Sequence, residues 1–103
     1  MGAHNGGATL KVDTTKGKTF RQVWNEYIDE LHYQYGHDSY NGTLTTCSGV
    51  STRSLPDNID PTDENAVFGY IWDNTEKWEN AMAIKVSEED GIETWHVGGW
   101  CAS

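Results

Sequence analysis

The richest concentration of chemistry-bearing side chains in this 103-residue sequence is one tract, His37-Asp38-Ser39-Tyr40-Asn41-Gly42-Thr43. It offers an imidazole, a carboxylate, a phenol, an amide and hydroxyls, a set suited to holding a polar ligand. Asn41 and Thr43 can exchange hydrogen bonds with a base or ribose edge, and Tyr40 can stack on a ring. The same residue types also build turns, because Asp38 and Asn41 bond their own backbone and Gly42 accepts angles closed to other residues. His96 and Trp100 form a second candidate group, which strand alternation places with Lys85 on one sheet face. For catalysis the candidates are His32, His37, His96, Asp38 and Cys47. General acid–base work needs partners within hydrogen-bond reach, and no spacing pairs any two of them. GxSxG, HExxH, P-loop and GxGxxG motifs are all missing from the sequence. His4, His32, His37 and His96 are scattered, and Cys47 and Cys101 have no CxxC spacing, so no zinc centre is expected. The residues point to binding rather than turnover, with no metal and no cofactor.

The elements that must position these groups follow from the apolar pattern. Ala8, Leu10 and Val12 alternate with polar residues, the signature of a half-buried strand. Residues 1–7, with three glycines, are expected to be flexible. Phe20, Val23, Trp24, Tyr27, Ile28, Leu31 and Tyr35 then recur at helical spacing, and Thr19 with Gln22 forms a capping box at the start. Gly36 is placed to stop that helix. A Thr-rich second strand is predicted over 43–48, followed by loop to residue 58. Asp60-Pro61 reads as the start of a second helix carrying Val67, Tyr70, Ile71, Asn74 and Trp78 on one stripe. Asp90-Gly91 is a preferred pair for a two-residue hairpin turn. Pairing outward from it sets Val86 against Trp95 and Ile84 against Val97, with Met82 on the same face. Ser87, Thr94, Lys85 and His96 take the other. A one-residue slip would turn that apolar set outward, so the register looks specified. Trp100 shares the parity of His96 and is expected on the face away from the core.

The order is β-α-β-α-β-β, and the predicted fold is α+β. A two-layer sandwich results, with two helices on one face of a four-stranded, mostly antiparallel sheet. Residues 1–103 form a single domain. A hydrophobic fraction of 36% and an aromatic fraction of 12% can supply a core, which argues against disorder. No apolar run has the length of a membrane span, so a soluble, cytoplasmic protein is expected.

The net charge of −9 sits wholly in the second half. Residues 54–103 carry only Lys77 and Lys85 against acids grouped as Asp57/Asp60/Asp63/Glu64, Asp73/Glu76/Glu79 and Glu88/Glu89/Asp90/Glu93. Such a surface repels phosphate backbones and attracts basic partners.

Two tracts carry a resemblance. Gly36-His37-Asp38-Ser39-Tyr40-Asn41-Gly42-Thr43, directly after an amphipathic helix, and the ending Gly99-Trp100-Cys101-Ala102-Ser103 resemble tracts in small accessory proteins of phages and prophages. That resemblance implies a compact anti-defence protein acting in the host cytoplasm, by sequestering a nucleotide signal or obstructing a defence protein. It transfers no ligand or catalytic residue. The leading expectation is a non-enzymatic protein, in some cases a homo-oligomer, that captures a small nucleotide-like ligand. Its site would use His37, Asp38, Tyr40, Asn41 and Thr43, with His96 and Trp100 joining from the open sheet face. The alternatives are an acidic nucleic-acid mimic that blocks a basic host defence protein, and a small nucleotide hydrolase with His37 or His96 as base.

Overall fold

A computed structural model describes residues 3–35, 44, 47, 49–75 and 79–102. The chain is α+β, with strand β1 (Ala3–Asp13), helix α1 (Phe20–Tyr35), strand β2 (Val50–Arg53), helix α2 (Glu64–Asp73) and strands β3 (Ala81–Glu89) and β4 (Ile92–Ala102). One four-stranded sheet has the order β1-β4-β3-β2. β4 runs antiparallel to both β1 and β3, and β2 runs parallel to β3. The predicted class, element order and mostly antiparallel sheet are all observed.

α1 begins as its capping box requires. The Thr19 amide donates to Gln22 Oε1 at 3.0 Å, and the Gln22 amide donates to Thr19 Oγ1 at 3.3 Å. Its apolar stripe (Phe20, Val23, Trp24, Tyr27, Ile28, Leu31) packs on Leu10, Ala81, Ala83, Val97 and Cys101 of the sheet. α2 starts three residues later than Asp60-Pro61 suggests. Asp63 is its cap and accepts from the Ala66 amide at 3.2 Å. Asp60 instead closes the preceding turn, accepting from the Thr62 amide at 2.9 Å. Val67, Phe68 and Ile71 are the buried residues of α2, and they pack with Met82 and Ile84. Asn74, predicted on that stripe, is exposed, and Trp78 lies outside the described residues.

Helix placement corrects the two-layer expectation. Ala83 belongs to the core under α1 and its neighbour Ile84 to the core under α2. Consecutive strand residues point to opposite faces, so the helices cover opposite faces and the sheet lies between them. The reason is the parallel β2–β3 pair. Parallel neighbours need a crossover, and its handedness decides which face the connecting helix takes. Amphipathic stripes say that a helix has a buried side, not which side of the sheet receives it.

Three further expectations change. Residues 3–7 are strand, not a frayed tail, because β4 extends to pair with them from Gly7↔Gly98 to Ala3↔Ala102. Gly7 suits this position: a Cβ there would stand 2.6 Å from the Phe68 ring. The second strand among the described residues is Val50–Arg53, later than the predicted 43–48, of which only Leu44 and Cys47 are described. Of the predicted span, Leu44 sits in a short helical turn and Cys47 in a bend. Val50 is buried and pairs with Ala81, which gives Val50–Arg53 the buried partner that a strand needs. Finally, the hairpin turn forms at Asp90 (φ 53°) and Gly91 (φ 80°), and the pairs Glu89↔Ile92 to Ser87↔Thr94 follow as predicted. A bulge between Lys85 and Ser87 then shifts the register, setting Lys85 against Trp95 and Ile84 against His96. Trp95 and Val97 therefore face α1, while Ile84 and Met82 face α2. The slip exposes nothing, because both faces are covered.

A core on both sides predicts intolerance at two adjacent residues. Ile84→Ala should cost about 2–5 kcal/mol through the cavity it leaves. Ala83→Asp should cost at least about 3 kcal/mol by burying an unpaired carboxylate. Urea denaturation of both variants measures this, and an unaltered midpoint for either one contradicts the two-sided core.

Candidate functional site

The tract His37, Asp38, Ser39, Tyr40, Asn41, Gly42, Thr43 lies outside the described residues. The other predicted ligand residues are placed. His96 is buried in β4, its ring 4.9 Å from that of Phe68, with Nδ1 and Thr9 Oγ1 sharing a hydrogen bond at 3.0 Å. Burial pulls its pKa below the ordinary 6.5, and the nearby Glu64 carboxylate partly counters this. Trp100 keeps the parity of His96, but that face is covered by α2 rather than open. Its indole N–H donates to the Trp72 carbonyl at 2.9 Å. Both residues thus hold α2 to the sheet. Lys85, expected beside His96, lies on the α1 side because of the bulge, paired with Trp95.

Of the catalytic candidates, His37 and Asp38 lie outside the described residues, and Cys47, His32 and His96 are placed. Cys47 is half-buried, and burial pushes its thiol up to about 12, with Cys101 nearby adding to the effect. The thiolate needed for nucleophilic attack is not populated near neutral pH. His32 lies half-buried on α1, far in the chain from the His96 cluster. Among the described residues, no group of three or more His, Cys, Asp or Glu is arranged to hold a metal.

Two hollows remain. The larger, of about 610 Å³, opens where β2 ends at Arg53 while β3 continues, paired only with β4. Arg53 and Lys85 bring cations to it and Asp57 a carboxylate, Leu55, Ile59 and Val86 form apolar walls, and Trp95 contributes an aromatic ring. The ring is held in place: Phe20 lies against it with centroids 4.4 Å apart, and its indole N–H donates to Glu93 Oε1 at 3.0 Å. Lys85 Nζ bridges Glu88 at 3.3 Å and Glu93 at 3.6 Å, and the hydrogen bond and charge of Glu88 hold its pKa above the ordinary value. Arg53 has no acidic partner among the described residues. The bulge at Val86 borders the hollow, a common position for a bulge beside a binding site. Sequence reasoning missed this set because Arg53, Lys85 and Trp95 are far apart in the chain. A parallel strand end is the signal that would have found it, since ligands of open sheets gather at the carboxyl ends of parallel strands.

The smaller hollow, of about 470 Å³, lies between residues 7–9 of β1 and Glu64, Asn65, Phe68 and Trp72 of α2.

The His96 cluster predicts a pH response. The unfolded chain takes up a proton near pH 6.5, whereas folded His96 does so lower, so stability falls as pH drops below about 6.5. Asp13, held low by its hydrogen bond from Thr15, and Asp60, held low by the Thr62 amide, act only below their ordinary 3.8. Urea midpoints between pH 7.5 and 4.5 should therefore decline for the natural chain and stay flatter for His96→Gln. Parallel slopes for the two proteins would remove His96 as the cause.

No protein-family model, no curated protein and no solved structure matches this chain.

Proposed function

We propose that this chain is a binding protein that captures a small anionic, ring-bearing molecule of nucleotide-derived type in the hollow at the end of β2. One observation carries the reading: within a chain of net charge −9, Arg53 and Lys85 converge on a single hollow with a fixed indole and apolar walls. Its volume of about 610 Å³ falls in the range of small-molecule sites, roughly 300–1,000 Å³. Arg53 offers a planar fork to a phosphate or carboxylate, and Lys85 a second positive charge. Trp95 offers a ring edge, while Thr52 and Ser54 supply hydroxyls. No step of bond breaking is invoked. The resemblance to phage accessory proteins directs the choice of ligand toward nucleotide immune signals, which an anti-defence protein would sequester in the host cell.

The test is a melting-temperature panel of cyclic dinucleotides and ADP-ribose derivatives. A ligand at one hundred times its dissociation constant should add about 2.7 kcal/mol of stability. Arg53→Ala should weaken that ligand about tenfold or more, by removing a charge-assisted bond. The ligand should be recovered unchanged after heat denaturation. If Tyr40→Ala and Asn41→Ala abolish binding while Arg53→Ala does not, the site lies in the 37–43 tract instead. A panel with no shift at all rejects the capture reading.

A second reading is favoured by the surface charge. Asp57, Asp60, Asp63, Glu64, Asp73, Glu79, Glu88, Glu89 and Asp90 are all exposed. Lys85 is the sole ion-pairing cation among the described residues of this half. In this reading the acidic half imitates nucleic acid and obstructs a basic host defence protein. Such a complex should weaken steeply between low and physiological salt. A complex indifferent to salt and to Asp63→Lys rules it out.

A further inference from the structure

The outer edge of β1 is a long row of backbone groups with no strand beside it. β1 is the terminal strand, paired to β4 without interruption from Ala3↔Ala102 to Asp13↔Ile92. Among the described residues no strand bonds its other side. Edges of this kind are ordinarily blunted by proline, bulges or charge. β1 has no proline and no bulge, and Lys11 is its one cation.

The smaller hollow lies at this edge. Successive strand residues point to opposite faces, so a hollow touching 7, 8 and 9 in a row meets the strand along its edge. α2 overhangs it. Trp72 donates its indole N–H to the Gly6 carbonyl at 2.9 Å, and Phe68 lies against Gly7. One turn earlier, Glu64 lines the hollow together with Thr9, whose hydroxyl shares a hydrogen bond with His96. The helix thus passes along β1 in the opposite direction. The rings of Phe68 and Trp72 stack at 5.5 Å, and His96 backs Phe68 at 4.9 Å, so the apolar wall is set before anything binds. Glu64 and Asn65 are exposed at the mouth.

We infer that this edge docks an extended basic peptide, which adds as a fifth strand beside β1 and sends alternate side chains toward α2. The spacing fits. Four residues of helix rise about 6 Å and two strand residues span about 6.7 Å. Alternate peptide side chains therefore meet Glu64, Phe68 and Trp72 in succession. Main-chain hydrogen bonds supply affinity, and the side-chain positions supply selectivity. Charge selects the occupant: Glu64 at the mouth, Asp63 before it and the net −9 of the chain attract a cationic segment. A second copy of this chain would bring −9 against −9. The site is separate from the hollow at the end of β2, and neither depends on the other.

The experiment is fluorescence polarisation with a labelled octapeptide Thr-Lys-Thr-Val-Thr-Val-Thr-Lys (the Lys-Val peptide), whose one face carries Lys, Val, Val and Lys in succession. Its Glu-Val counterpart and a Lys-Val version with alternate backbone amides N-methylated serve as comparisons. The Lys-Val peptide should bind and the Glu-Val peptide should not. N-methylation should weaken binding at least about tenfold, because it blocks ladder bonds while leaving charge intact. Glu64→Lys should weaken it by about tenfold, whereas Glu30→Lys, the same charge change on α1, should leave it within about twofold. Melting curves of the two variants confirm that each is folded. No binding of the Lys-Val peptide up to about 1 mM, or equal binding of the N-methylated peptide, overturns the inference. So does a sedimenting dimer that excludes the peptide, since the edge would then belong to a second copy.

Discussion

Burial of β3 and β4 on both faces is the constraint on which the rest of this structure depends. Ala81, Ala83 and Val97 are sealed under α1, while Met82, Ile84 and His96 are sealed under α2. A chain of this length has little apolar surface to spare, and dividing it between two cores leaves each small. The residues joining the layers are correspondingly tight. Backbone approaches at Gly7 and Gly98 admit the Phe68, Ile71 and Trp72 side chains where a Cβ would collide. Indole N–H groups of Trp72 and Trp100 cap carbonyls of Gly6 and Trp72. Among the described residues, no buried side-chain nitrogen or oxygen is left without a hydrogen-bond partner.

The same arrangement explains where open space survives. α2 has to connect two parallel neighbours, so β2 is short and ends while β3 runs on to the hairpin. That mismatch in length leaves the larger hollow at Arg53, and the bulge at Val86 turns Lys85 and Trp95 toward it. On the opposite edge α2 reaches across β4 to β1, leaving the groove between Phe68, Trp72 and the strand. Both hollows are consequences of how one helix crosses a narrow sheet. Their chemistry differs: the first sets Arg53 and the ion-paired Lys85 beside Asp57, and the second presents a carboxylate over aromatic rings.

Charge follows the architecture unevenly. The ion pairs of the first half are local, as with Lys18 Nζ and Glu26 Oε2 at 2.6 Å. In the hairpin, Glu88 and Glu93 stand directly opposite across the ladder, a repulsive arrangement that Lys85 relieves by bridging both. Lys85 is therefore already engaged within the hairpin. An anionic ligand that drew Lys85 away would have to replace those two contacts, which makes Arg53 the stronger attraction for an incoming anion.

What the sequence determined by itself was local. The capping box of α1, its apolar stripe, the Asp90-Gly91 turn and the α+β order each depend on contacts within a few residues, and each formed as read. Tertiary structure alone decided what depends on distant partners. Both helices carried apolar stripes, but only the parallel β2–β3 crossover put them on opposite faces. The hairpin register was argued from the cost of exposing an apolar face, and the bulge at Val86 was permitted because neither face is exposed. His96 and Trp100 were read from strand parity as an open platform. Their parity was right, yet the helix over them turned both into packing residues. Arg53, Lys85 and Trp95 carry no shared motif, since a hollow made by strands of unequal length leaves no spacing in the chain. Pattern in a sequence reports which side of an element is buried; only the assembled layers decide what buries it and what space is left between.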